Sequence, residues 1–318
     1  MARIGRVVPT VNSACPPALQ EPLPKIGACK TGSISRIFQR YSPCRKKGKF
    51  VQVIGLCRFS YPCLGGFQVG HDNMEARIEY LYNHVRLEER FRLFETVALP
   101  GLKAQTDRDF ELIVLVGTSL PKPHLERLHD LVDTLPQVRI VTEPPRPHRE
   151  VMKEILNRAR HDPSQPCAQF RFDDDDAVGI DFIAKLRKAV DDSAALLVQH
   201  KSVALDWNKG FIAEFGAGGI RATPTYRPFY TAALAMFVNG SCPLTIMNFA
   251  HDKLPRFMPA ISFPDQAMYI RGHNDFNDSR QKTTKRVELK SLSNDQTKLF
   301  RNRFAIDINA VRAAYKSD

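Results

Sequence analysis

Asp173, Asp174, Asp175 and Asp176 stand in a row at the end of the stretch Cys167-Ala-Gln-Phe-Arg-Phe172. Packing alone would not choose this run, because two carboxylates about 4 Å apart repel by roughly 4 kcal/mol at an effective dielectric near 20. Either water solvates the run on a surface turn, or a cation neutralises it. In an extended chain alternate side chains share a face, which sets Asp173 with Asp175 and Asp174 with Asp176. Either pair offers hard oxygen ligands to Mg²⁺ or Mn²⁺, an ion that keeps some waters and takes phosphate oxygens from a substrate. The chemistry open to this stretch is metal-assisted handling of a phosphorylated substrate; a solvated acidic loop is the competing reading.

The elements around the run favour a site. Val51–Cys57 and Glu111–Val116 are near-continuous apolar runs of the kind buried on both faces of a sheet, and Val138–Val141 is a third strand. Between and after them lie helical patterns. Leu87–Leu99 carries Leu87, Phe91, Phe94, Val97 and Ala98 on one face and is expected to stop at Pro100-Gly101. Pro121–Val132 and His148–Ala159 follow, then the strand with the aspartates, then a helix from Asp181, its expected N-cap, to Val190. This alternation predicts an α/β fold with a mainly parallel, Rossmann-like central sheet flanked by helices. Ligands of such sheets gather outside the carboxyl ends of the strands, where the aspartates stand. Beyond residue 200 the pattern turns mixed. Ser202–Trp207, Ala232–Val238 and Ala267–Ile270 read as strands, Thr245–Leu254 as a helix, and Leu292–Tyr315 as a C-terminal helical segment.

Charge is unevenly placed. The net charge is +12, yet residues 1–50 hold ten Lys/Arg against Glu21 alone, leaving about +3 for the rest. Residues 1–48 are rich in Pro, Lys and Arg and read as a disordered basic extension, or as an arm attracted to anionic lipid or polyanions. Residues 49–318 read as one domain: a substrate-binding half to residue 200, a second half at 201–280 and a helical tail at 281–318. The seven cysteines (15, 29, 44, 57, 63, 167 and 242) have no zinc-like spacing and suit a reducing compartment. With no apolar leader and no run of 18 apolar residues, a cytoplasmic protein is expected, with peripheral contact to the inner face of the membrane as an option for the arm. No specific nucleic-acid partner is expected.

Leu102-Lys-Ala-Gln-Thr-Asp-Arg-Asp-Phe-Glu-Leu-Ile-Val-Leu-Val116, followed by Phe172-Asp-Asp-Asp-Asp176, resembles the nucleotide-sugar glycosyltransferases of the GT-A fold. Arg58-Phe-Ser60, Arg171–Ala177, Asn274-Asp-Phe-Asn-Asp-Ser-Arg280 and Arg303-Phe-Ala-Ile-Asp307 are similar to a bacterial group of rhamnosyltransferase-type proteins. The resemblance covers roughly residues 50–315. It departs where many inverting relatives carry Asp-Asp-Gly-Ser for the nucleotide base, since Val116-Gly-Thr-Ser119 stands there instead.

The resemblance implies a metal on Asp173 and Asp175, with Asp176 in support and His273 as a third ligand, while the Asp174/Asp176 register stays open. Asp174 is placed on the donor side. Arg58, Arg171 and Arg271 offer planar forks suited to the oxygens of a diphosphate. Direct displacement needs a carboxylate to take the acceptor's proton. Asp252 is the candidate, in the region where inverting relatives carry their base. Asp206 is a weaker alternative, and the neighbouring Trp207 is either core or a platform for an acceptor sugar.

The function expected is a metal-dependent, inverting glycosyltransferase that moves a sugar, rhamnose by the resemblance, from a nucleotide-sugar donor to a glycan or lipid-linked acceptor. Two alternatives stand beside it. A nucleotidyltransferase ranks low, because Arg58-Phe-Ser-Tyr-Pro62 replaces the Gly-rich phosphate loop. An inactive module of the same fold, docking through its basic arm, is the other.

Overall fold

Both faces of β1 (Gln52–Arg58) are apolar, so the strand belongs inside a sheet: Val53 and Cys57 enter one core cluster, Ile54 and Leu56 the other. The computed structural model describes residues 51–65, 73–274 and 287–316, all within the compact unit Phe50–Asp318. The basic extension at 1–48 and residues 275–286 lie outside the described residues.

β1 sits among β2 (Glu111–Gly117), β3 (Val138–Glu143), β4 (Cys167–Asp173), β6 (Ser202–Trp207), β9 (Leu234–Val238) and β10 (Ala260–Phe263). The sheet order is β10-β6-β9-β4-β1-β2-β3. The stretch from β4 to β3 is parallel; β9 alone runs antiparallel to its two neighbours. A second sheet has the order β12-β8-β7-β11-β5, from β5 (Ala177–Val178), β7 (Lys209–Gly216), β8 (Gly219–Tyr226), β11 (Tyr269–Gly272) and β12 (Lys290–Ser291). The acidic run bridges the two sheets, since it leaves β4 in the first and enters β5 in the second.

α2 (His84–Leu93), α4 (Lys122–Val132) and α6 (Phe182–Asp192) pack on one face of the large sheet, and α5 (His148–Arg158) packs on the other. α8 (Asn294–Phe304) and α9 (Ile308–Lys316) close a third cluster over the second sheet, with Phe300, Phe304 and Val311 against Phe211, Phe215 and Ile270.

Four expectations change. The helix does not stop at Pro100-Gly101: a π turn at Phe94–Ala98 follows α2, and α3 (Leu99–Lys103) carries on. The wider turn makes room for the ring of Pro100, which cannot donate to the preceding turn. Gly101 is needed for close packing, since a Cβ there would lie 2.6 Å from the Val178 carbonyl oxygen. Thr245–Leu254 forms two 3₁₀ turns, Ile246–Asn248 and His251–Arg256, because the Thr245–Asn248 capping box closes after one turn and Phe249 and Ala250 are extended. The polar connection after β1 contains α1 (Met74–Leu81), capped by the Asn73 side chain. Finally, β7 and β8 form a hairpin that the strand pattern had left out.

Candidate active site

β1 and β4 are adjacent and parallel, and their last residues, Arg58 and Asp173, are register partners. Two residues before Asp173, Arg171 leaves β4 on the same side. Arg58, Arg171 and Asp173 line a small cavity of about 20 Å³ together with His148 from the start of α5, Met247 from the first 3₁₀ turn, Leu56 and Phe172. It has room for about one water-sized group. The Nε of Arg171 is buried and makes no hydrogen bond.

The chain stops being extended at Asp173. The Asp176 N–H donates to the Asp173 carbonyl at 3.2 Å, closing a turn, and a turn groups its residues differently from a strand. Asp173 and Asp176 share one partner, Arg271 of β11, whose Nη1 donates to Asp173 Oδ2 (2.6 Å), Asp176 Oδ2 (2.7 Å) and Thr231 Oγ1 (2.5 Å). Asp174 and Asp175 share another, Arg90 of α2. Arg90 Nε donates to Asp174 Oδ2 at 3.0 Å, its Nη2 pairs with Asp174 Oδ1, and its Nη1 lies 3.4 Å from Asp175 Oδ2. The alternation expected of an extended run therefore ends with β4. Asp174, Asp175 and Asp176 are at most 2% exposed, whereas the Asp173 side chain is 29% exposed. Gly272 completes the turn's support. Its N–H donates to Asp176 Oδ1 at 3.0 Å, and a Cβ there would lie 2.5 Å from the Asp175 carbonyl oxygen.

Charge compensation sets the acid–base state. Burial opposes ionisation of Asp173, but the Arg271 and Arg171 guanidiniums outweigh it and hold the carboxyl well below the usual range. Burial pushes Asp176 up, Arg271 opposes, and the neighbouring Asp175 and Asp173 add to the rise. For Arg271, burial is outweighed by Asp176, Asp173 and Asp175, which raise it well above its ordinary value. Burial, together with Arg58 and Arg271, lowers Arg171 against the pull of Asp173. Burial and the repulsion of Arg58 and Arg171 bring His148 down to about 3, so its imidazole is neutral near pH 7.

The other expected residues fall as follows. Asp252 is exposed on the second 3₁₀ turn. Its neighbour His251, lowered by burial and then by the charge of Arg171, is 2.7 Å from the Phe229 carbonyl through Nδ1. His273 follows β11, half-buried, with its N–H on the Ala213 carbonyl. Among the described residues no three His, Cys, Asp or Glu side chains come together as a metal-binding group. Asp173, Asp175 and His273 are thus not a preassembled trio. Asp206 is fully buried, and Trp207 is core, stacked on Phe263 with centroids 5.1 Å apart. Asp181 stands at the N-cap of α6 but makes no cap bond; it pairs with Arg303 Nη2 at 2.6 Å, which ties α8 to the turn after β5.

Sequence reasoning missed Arg90, His148 and Thr231. A signal existed for Arg90, which interrupts the apolar stripe of its helix between Leu87 and Phe94 at core spacing. A charged residue there is either mis-threaded or paired.

A family described as "Putative rhamnosyl transferase" matches residues 52–286. The chain belongs to this family. That family's description is of glycosyl transfer, the class the four-aspartate and Gln105 stretches resemble. In that second stretch Gln105 is structural: its Nε2 donates to the Gly101 and Gly179 carbonyls at 2.8 Å each and its Oε1 accepts from the Ile183 N–H, tying α3 to the β5–α6 turn. Among solved structures the transferase is similar to residues 1–349 of S. aureus TarS, at 12% identity and a TM-score of 0.36, over 70% of this chain and 60% of that one. The same fragment in complex with UDP-GlcNAc gives 11%, 0.38, 72% and 60%. A "putative nucleotide-diphospho-sugar transferase" from Desulfovibrio desulfuricans G20 gives 14%, 0.33, 70% and 82%. The chain thus spans about 60% of the TarS fragment. No curated protein matches.

Proposed function

We propose that the transferase moves a sugar, of rhamnose type on the family description, from a nucleoside-diphosphate donor to a hydroxyl of a glycan or lipid-linked acceptor, with inversion at the anomeric carbon. The observation that carries this reading is the convergence of Arg58, Arg171 and Asp173 on one cavity at the carboxyl ends of two adjacent parallel strands. Parallel α/β sheets bind ligands at that edge, and two guanidiniums beside one part-exposed carboxylate suit a diphosphate better than an uncharged ligand.

Asp173 also fits a divalent cation. It is the one carboxylate of the run with substantial exposure; its oxygens are hard donors, and Mg²⁺ or Mn²⁺ needs only one or two protein carboxylates when substrate phosphates complete its shell. Asp175 Oδ2 makes no hydrogen bond but is buried and lies 3.4 Å from Arg90 Nη1, so Asp173 is the carboxylate positioned to hold the ion. A cation held there would neutralise charge growing on the departing diphosphate.

The chain's own residues do the rest. Arg58 and Arg171 bind the diphosphate and stabilise it as the bond from the anomeric carbon to its oxygen breaks. Asp252 takes the proton of the acceptor hydroxyl as that oxygen bonds to the opposite face of the anomeric carbon. Arg271 keeps Asp173 ionised and aimed, rather than touching the donor. The test is titration of the protein with a panel of nucleoside-diphosphate sugars, with and without Mn²⁺, followed by calorimetry. One donor is expected to bind, with affinity at least tenfold weaker in Arg171→Ala. Equal binding by wild type and variant would contradict the assignment.

A further inference from the structure

We infer that Arg90 is a positioning residue for the donor site, and that Asp174 works through it rather than by touching the donor. The inference rests on the proposed donor site and goes beyond it in naming how the acidic turn is held.

The turn has four carboxylates and two arginine clamps from different elements. Arg271 reaches in from β11 to Asp173 and Asp176, the outer pair. Arg90 reaches in from α2 to Asp174 and Asp175, the inner pair. Its guanidinium makes a two-pronged contact with Asp174, Nε to one oxygen and Nη2 to the other, a planar geometry that fixes direction as well as distance. Arg90 is 6% exposed and Asp174 is 1% exposed, so neither is placed to meet a ligand from solvent. What the pair determines is the path of the backbone. Asp173 is the first residue of the turn, and its carbonyl closes that turn by accepting from the Asp176 N–H. Removing Arg90 would leave Asp174 and Asp175 buried without their counter-charge. Uncompensated and buried, such carboxylates draw the turn outward to water. That movement re-aims Asp173, the residue at the cavity.

The helix end is built to hold Arg90 still. The π turn at Phe94–Ala98 begins four residues after it, and Leu93 at the end of α2 and Val97 of the π turn pack into the cluster formed with α8 and α9. Lysine at position 90 would keep the charge but lose the fork.

The test uses the full chain and two probes, Mn²⁺ by electron paramagnetic resonance and inorganic pyrophosphate by calorimetry, in wild type, Arg90→Lys, Arg90→Gln, Asp174→Asn and the Arg90→Gln/Asp174→Asn double variant. Far-UV circular dichroism checks the fold. Arg90→Gln and Asp174→Asn are each expected to weaken Mn²⁺-dependent pyrophosphate binding about tenfold or more. Arg90→Lys should fall between them and wild type, and the double variant should lose no more than the worse single, the signature of residues acting as one unit. Unchanged binding in Arg90→Lys and Arg90→Gln would overturn the inference while leaving the donor site standing, as would losses that add in the double variant. Wild type that binds pyrophosphate neither with nor without Mn²⁺ would overturn the donor site and the inference together. Should Arg90→Gln not fold, Arg90→Lys against Asp174→Asn decides: loss in the second with none in the first would mean that Asp174 contacts the ligand directly.

Discussion

Asp206 and Asp252 are both carboxylates within the half that follows the acidic run, and one substitution separates their roles. Asp206 lies fully buried on β6. Its Oδ2 accepts from Ser262 Oγ at 2.6 Å and its Oδ1 from the Phe229 N–H at 3.0 Å. Burial raises its carboxyl to about 6, with those two hydrogen bonds opposing the rise. An unfolded aspartate ionises near 3.8. Between those values the folded protein holds a proton that the unfolded chain releases, so this group's contribution to stability falls as pH rises from about 4 to 6 and stays low above. At about 1.4 kcal/mol per pH unit the loss is on the order of 3 kcal/mol. Asp206→Asn removes the titration while keeping size, an acceptor for Phe229 N–H and a polar contact with Ser262. Urea unfolding at pH 4, 5, 6 and 7 reads the difference between variant and wild type. The variant is expected to gain ~2–3 kcal/mol relative to wild type across that window, and to retain glycosyl transfer, because nothing reaches Asp206 from solvent. Parallel stability profiles would refute the burial argument; a variant that folds and is inactive would move the base from Asp252 to Asp206.

Three further outcomes follow from the geometry. Gly272→Ala drives a Cβ into the Asp175 backbone at 2.5 Å; it should cost about 1–3 kcal/mol of stability and a larger share of activity, read by melting temperature and turnover on the same preparation. His148 is lowered to about 3 by burial and then by Arg58 and Arg171, so the unfolded chain binds a proton that the folded one refuses as pH drops below 6.5. His148→Gln should flatten the acid limb of stability between pH 6.5 and 3 by up to ~4 kcal/mol, reduced by screening at its part-exposed ring, and pH-dependent unfolding checks it. Gln105→Ala breaks three buried hydrogen bonds and should lower stability by roughly 2–4 kcal/mol in chemical unfolding.

The parts of the fold that could be read from the sequence are those where one period runs unbroken. β1 and β2 are apolar on both faces, and α4, α5 and α6 carry stripes that match their packing. The β7–β8 hairpin was legible in principle, with Phe211, Ala213 and Phe215 alternating before Ala-Gly-Gly219, a turn whose Gly219 has φ of +103°. The acidic run was harder. Its location at a strand end follows from the apolar residues before it, but four identical residues contain no signal for where extension stops, and one residue decides which carboxylates share a partner. Those partners, Arg90 and Arg271, stand 84 and 98 residues away from Asp174 and Asp173. Local pattern carries no signal for a pairing at that range, so the clamps of Arg271 and Arg90 on the acidic run could not be read from it.

Turnover tests the central claim most directly, namely that Asp173 and the arginines beside it form the donor site. Release of nucleoside diphosphate from a nucleotide-sugar panel, with Mn²⁺ or Mg²⁺ and with each omitted, should be followed in wild type and Asp173→Asn. The account expects slow release from one donor that needs the cation and falls at least a hundredfold in the variant, at unchanged circular dichroism. Release that proceeds equally in Asp173→Asn would contradict it.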